Sequence, residues 1–403
     1  MPCCPRKARH LLKCGKAKVI ERTPFTIKLL FSSGDNAQPL IHSLDSGSAN
    51  IGSAVSDDNG AVYYLSEVEI RNDITDKLKQ RSSYRRNRRN RKTRYRKPRW
   101  HNRKNSIKND RFSPTMVSKL NSHLKEIQFV KSLLPITKTI IETGTFDPHA
   151  LKNPAVLNNK WLYQQGVNYG YANTRAYVLT RDRYTCQHCK GKSKDKRLEV
   201  HHIVFKRNKG SDEQENLITL CKTCHDDLHN ELIHLKKAGK VKGQLNHATQ
   251  MNSIRVQLLR VLPFAEETFG FITKEHRQLL GLPKEHYFDA VAMATTGKKV
   301  VFKTERVVIK KCVSDGDYQQ TKGVRSEKRI PTGKIQGFRK FDKVRHLEKE
   351  YFIKGRMSTG YAILMDIKGN KIPLKPIPKF SNMVRVGARK SWLISSKPLP
   401  FIS

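Results

Sequence analysis

The chain has 403 residues, 79 Lys+Arg against 35 Asp+Glu for a formal charge of +44, and 37% hydrophobic side chains. That length and apolar content predict two or more folded domains, and the charge predicts a polyanionic partner, nucleic acid ahead of an anionic membrane surface. With no run of about 18 apolar residues, no signal peptide and no lipidation signal, membrane insertion is not expected; the expected setting is cytoplasmic and nucleic-acid associated.

From the amino end, Pro5 to Cys14 reads as a short basic helix and Phe25 to Leu29 as an alternating strand, followed by a turn-rich hinge from Gly34 to Pro39. The apolar run from Pro39 ends in Asp45, and a Gly/Ser turn leads to a second strand. Asp57-Asp58-Asn59-Gly60 predicts a hairpin turn before Ala61 to Ile70. An acid at a strand end beside a glycine turn is a place to hold a metal ion.

Residues 77–104 contain 15 Lys/Arg and no Asp or Glu. Arg81, Arg85, Arg86, Arg88, Arg89, Arg91, Arg94 and Arg96 recur at spacings that put cations on nearly every face of a helix, which like-charge repulsion would destabilise in isolation. A disordered basic tail is the plain alternative. The run is internal, lies between foldable segments and includes Tyr84, Tyr95 and Trp100, so an arginine-rich helix between nucleic-acid strands is expected.

Met116, Leu120, Leu124, Ile127, Val130 and Leu134 follow helical spacing, and Ile136 to Thr143 is a strand carrying the lone acid Glu142. After a cysteine/histidine module, Leu258 to Phe271 and Lys274 to Gly281 read as mixed segments. Glu285 to Ala294 looks like a helix start that places His286 and Asp289 on one face. The last hundred residues alternate strands with Gly, Asp and Lys turns, as in a small basic β-rich domain.

Eight cysteines are too sparse for a disulfide scaffold, and four form the pairs Cys186/Cys189 and Cys221/Cys224. Four thiolates in two close pairs can close a tetrahedral shell around a structural Zn2+ in a reducing compartment. The intervening chain holds His201-His202 and Asn216, and the second pair runs directly into His225 and His229. This spelling resembles the HNH nuclease family with its ββα-metal fold. His225 and His229, four apart, share a helical face, and His201 at a strand end can complete a divalent-cation site. His202 faces the other way and is free to take a proton from water. By that resemblance, Asn216 fixes the loop that orients His202 or approaches the metal itself.

Asp45, Glu142, His286 and Asp289 stand in contexts that resemble the three split motifs of the RuvC branch of the RNase H fold. Carboxylates converging on strand ends can hold two Mg2+ (or Mn2+) ions about 4 Å apart for phosphodiester cleavage, with His286 as general base or proton carrier. The order of these motifs around the arginine-rich stretch and the HNH module is similar to that of IscB, the transposon-encoded RNA-guided nuclease family. Departures include Ser46, where the family usually has proline, and His201, where many relatives carry an acid.

The resemblance implies an α/β multidomain protein. Its expected divisions are an N-terminal module (1–38), RuvC-like parts (39–75, 106–170 and 236–303), a bridge helix (76–105), the HNH domain (171–235) and a C-terminal target-adjacent-motif-interacting domain (304–403). It further implies a monomeric ribonucleoprotein with guide RNA and double-stranded DNA as partners and no membrane. HNH would cut the guide-paired strand and RuvC the displaced one. An RNA-independent homing-type HNH endonuclease and a non-catalytic nucleic-acid-binding transposon protein are the alternatives.

Overall fold

The computed structural model describes residues 3–32, 34, 38–90, 112–206, 210–235, 245–295, 298–314 and 334–400, and for 88–90 the backbone only. The chain divides into two compact units, one of 1–144 with 250–403 and one of 145–249. The second begins at Thr145, so the segment 145–170, expected with the RuvC-like parts, belongs to the cysteine/histidine unit.

Along the first unit run α1 (Pro5–Lys13), the hairpin β1 (Ala17–Arg22) and β2 (Phe25–Leu29), β3 (Leu40–Asp45), β4 (Asn50–Asp57) and β5 (Ala61–Glu69). The expected turn joins the last two: Asp57 Oδ1 accepts from the backbone of Asn59 and Ala61 at 2.9 Å, and Gly60 takes a φ of +86°. α2 (Ile74–Asn90) carries the arginine-rich sequence, and α3 (Pro114–Leu133) starts at Ser113, whose side chain accepts from the Met116 N–H. β6 (Ile136–Thr143) follows.

The second unit holds α4 (Pro148–Lys152), α5 (Thr174–Arg181), the hairpin β7 (Leu198–His202) and β8 (Leu217–Cys221), and α6 (Lys222–His229). The chain continues through α7 (Asn246–Val261), β9 (Glu266–Phe269), α8 (Gly270–Leu279) and α9 (His286–Ala294). The segments expected as mixed are thus two helices around a short strand. Last come β10 (Val301–Phe302), β11 (Arg306–Cys312), β12 (Lys343–His346), β13 (Lys349–Arg356), β14 (Ala362–Met365), β15 (Val384–Gly387) and β16 (Trp392–Pro398).

One mixed sheet organises the first unit, in the order β16-β11-β5-β4-β3-β6-β9, with β10 on β5. β3, β4 and β5 form an antiparallel meander, and β6 and β9 extend it in parallel from β3. β3 is buried along its whole length, as a strand covered on both faces must be. Tyr287, Phe288 and Val291 of α9 pack on one face against Ile41, Ala54, Val62 and Leu65. Ile127 and Val130 of α3 cover the other against Leu40, Leu44, Ile51, Val55 and Val68.

The C-terminal hundred residues do not form a sheet of their own throughout. β12 to β15 make a four-stranded antiparallel sheet, whereas β11 and β16 enter the main one, β11 parallel to β5. The fully buried Lys310 of β11 donates to Glu126 of α3 at 2.6 Å and to the Tyr64 hydroxyl at 2.8 Å. Removing one partner would strand a charge in the core, at a cost of about 3–5 kcal/mol. Among the described residues no helix is long and apolar enough to cross a membrane.

Candidate nuclease sites

Three clusters of metal-ligating side chains stand in the described residues: Cys186, Cys189, Cys221 and Cys224; His201, His225 and His229; and Asp45, His286 and Asp289. In each, the ligand atoms lie within 4.8 Å of one another.

The first two share the second unit. β8 runs into α6 with Cys221 between them, so one short segment delivers Cys221 and Cys224 to the thiol cluster and His225 and His229 to the imidazole cluster. Ser193 hydrogen bonds pull the Cys189 thiol down to about 5, whereas burial among the other sulfurs pushes Cys224 up. Four crowded thiols with one already acidic fit a Zn2+ ion, which would take all four as thiolates.

β7 and β8 pair antiparallel, with His201 opposite Ile218 and His202 opposite Leu217, and both histidines line one open cleft together with His225 and His229. His201 is buried, 5.0 Å in ring centroid from both His225 and His229. Burial and then the neighbouring imidazoles hold it near 4, so the ring is neutral, the form a metal takes, and its buried Nδ1 has no hydrogen-bond partner. These residues fit a divalent cation. His202 instead places Nε2 2.7 Å from Asp212, on the same cleft, which Lys206 and His234 also line.

Asn216 is fully buried. Its Oδ1 accepts from Val204 N at 2.8 Å, and its Nδ2 donates to the carbonyls of Val204 at 3.0 Å and Ser211 at 2.8 Å. Its amide is thus committed to the backbone of the loop between His202 and Asp212.

The third cluster belongs to the first unit. Parallel pairing sets Asp45 and Glu142 side by side at the ends of β3 and β6, and antiparallel pairing sets Gly52 on the other side of Asp45. A Cβ on Gly52 would lie 2.0 Å from the His286 carbonyl oxygen, so only glycine lets the start of α9 come down onto the sheet. His286 Nδ1 then reaches Asp45 Oδ2 at 2.7 Å, which raises its pKa. Asp289, one turn on and almost fully buried, pairs with Arg277 at 2.7 Å and Lys284 at 2.6 Å. Glu142 is pushed up to about 7, by burial first and then by Asp45. An acid that resists ionising beside two other carboxylates fits a cation-binding site. Ser46 donates to the Glu142 backbone carbonyl at 2.6 Å.

Among the described residues the ligand atoms of Asp45, His286 and Asp289 form one group and those of His201, His225 and His229 another; Glu142 stands beside the first on the neighbouring strand. Spacing did not reveal Glu199, 3.2 Å from His225 Nδ1, or Asp212, Arg277 and Lys284. Glu199 had a usable signal, since it stands two residues before His201 on the same strand face. Of the expected nucleic-acid contacts, Arg81, Arg85 and Arg86 are exposed on α2. The side chains of Arg88 and Arg89, and all of Arg91, Arg94 and Arg96, lie outside the described residues.

Comparison with known families gives two matches. A family described as HNH endonuclease matches residues 186–231. The chain carries an HNH endonuclease domain. The protein is accordingly a nuclease, a hydrolase acting on DNA, and the HNH match covers both the thiol and the imidazole clusters. A family described as RRXRR protein matches residues 1–166, a span that includes α2, Asp45 and Glu142. No curated protein matches the chain.

Proposed function

We propose that the protein is an RNA-guided DNA endonuclease of the IscB kind, whose HNH domain cuts the guide-paired strand and whose carboxylate cluster, a RuvC-like site, cuts the displaced strand. The observation that carries this reading is convergence. Asp45, Glu142 and the His286/Asp289 pair come from three segments, separated by the arginine-rich stretch and by the HNH unit, and meet at one end of one sheet. An antiparallel meander extended by parallel β6 and β9 supports an RNase H-like core. The acid-free arginine run and the RRXRR match support a structured RNA partner.

In this reading Mg2+ or Mn2+ supplies Lewis acidity, making water more acidic and stabilising charge on the leaving oxygen. His201, His225 and His229 hold it at the HNH site, and Asp45, Glu142 and Asp289 at the other. His202 takes a proton from water while Asp212 fixes its ring and stabilises the imidazolium, and Asn216 holds the intervening loop in shape. His286, anchored by Asp45, carries the proton at the second site. The four cysteines hold Zn2+, and Arg81, Arg85 and Arg86 meet phosphates.

The test is strand-resolved cleavage of a plasmid library by protein purified with its co-expressed RNA, before and after ribonuclease treatment. Cutting of both strands at sites complementary to the bound RNA, lost on treatment, is the expected result. Cutting that survives treatment unchanged refutes guidance and favours a homing-type enzyme; bound DNA left uncut refutes the nuclease assignment of both sites.

A further inference from the structure

We infer that Phe271, backed by Phe269, is a base-stacking platform that seats an unpaired DNA strand at the carboxylate cluster. The inference rests on reading that cluster as a nuclease site. β9 runs parallel to β6 with Thr268 opposite Glu142 and Phe269 opposite Thr143. The next residue, Gly270, passes so close that a Cβ there would lie 2.9 Å from Glu142 Oε1. The two phenylalanines flank this glycine with their rings nearly parallel, 7° apart in plane and 6.2 Å between centroids.

Their burial is not what packing alone would select. Thr273, the residue α8 buries, bonds to the Glu142 side chain, whereas Phe271 is 71% exposed. A single exposed phenylalanine is ordinary on a protein surface. This one follows Gly270, where a Cβ would meet the carboxylate of Glu142 beside the cluster, and has a second ring next to it. Lys274, one turn along α8, is also exposed, and Lys284 reaches the same cluster through Asp289, so a polyanion suits the surroundings better than an apolar protein segment.

A nucleobase presents a flat face whatever its identity, so stacking on Phe271 would hold a strand without reading its sequence. In a duplex that face is covered by the neighbouring base pair. The occupant is therefore a strand unpaired at this point, and the ring sets where along it the phosphodiester meets the carboxylates.

The experiment uses full-length protein with its co-purifying RNA and a target duplex carrying 2-aminopurine at successive positions of one strand. Fluorescence is read in an Asp45→Asn background, and cleavage in the otherwise unmodified protein. Quenching is expected at one or two adjacent positions, kept in Phe271→Tyr and lost in Phe271→Ala. For cleavage of that strand, KM is expected to rise roughly ten-fold in Phe271→Ala with kcat nearly unchanged, given the strength of base–aromatic stacking. Cutting of the other strand reports that Phe271→Ala is folded. Quenching and KM unaltered in Phe271→Ala would overturn the platform. If Asp45→Asn still cut both strands, the carboxylate reading would fall instead, and the quenching pattern would identify that failure separately.

Discussion

The HNH site and the carboxylate site reach a metal-binding arrangement by opposite routes. Every thiol and imidazole of the first lies between Cys186 and His229, two thiols in the turns before β7 and the rest on one hairpin and one helix. The second joins Asp45 to His286 across 241 residues, through a sheet whose strands come from three parts of the chain. A local site carries its own scaffold and answers to its ligands; a distributed one answers to the fold around it. Breaking each should therefore leave the other standing.

The largest effect is expected from Cys221→Ser. Structural zinc in small domains is worth on the order of 10 kcal/mol, so losing a thiolate should unfold the second unit. Zinc content and protease sensitivity of 145–249 check this, with displaced-strand cutting retained. Next, His202→Ala should slow guide-paired-strand cutting by about 10²–10⁴-fold and Asp45→Ala should abolish cutting of the displaced strand alone, both read by strand-specific labels. If either change stopped both cuts, the two sites would not be independent.

A smaller effect sharpens the contrast within the HNH domain. Glu199→Gln leaves His201, His225 and His229 in place but removes the negative charge 3.2 Å from His225 Nδ1, and should lower Mn2+ affinity by roughly 10–100-fold in titration calorimetry. The smallest belongs to α3, which covers the sheet. Burial holds His123 near 4 rather than 6.5, so the fold prefers the neutral ring. Its contribution, at most a few kcal/mol, is present above pH 6.5 and lost as pH falls toward 4. In His123→Gln the slope of melting temperature against pH should flatten over that window.

The same contrast explains what could be read without coordinates. Paired cysteines, and histidines four apart, state their geometry in their spacing, so the HNH ligands were legible directly. Asp45 and Glu142 were legible as acids at strand ends, but their adjacency needed the parallel register of β3 and β6. Glu266–Phe269 was missed as a strand because four residues show too little alternation, and its place beside β6 is a non-local fact. Likewise nothing in Arg306–Cys312 announces that it lies against β5 rather than beside β12. Asp212 and Lys284 are single charges on exposed chain, indistinguishable by type from dozens of others until the fold turns them toward His202 and Asp289.

The late arrival of β11 and β16 in the main sheet has a consequence for how the protein is made. The meander of β3 to β5 leaves the ribosome early, yet the flank of β5 is covered only when β10 and β11 have been translated, and Asp45 meets His286 only once α9 has appeared. The HNH unit, by contrast, is contiguous and complete midway through synthesis. Nascent chains that stall before α9 would carry the HNH domain complete but the carboxylate cluster without His286 and Asp289.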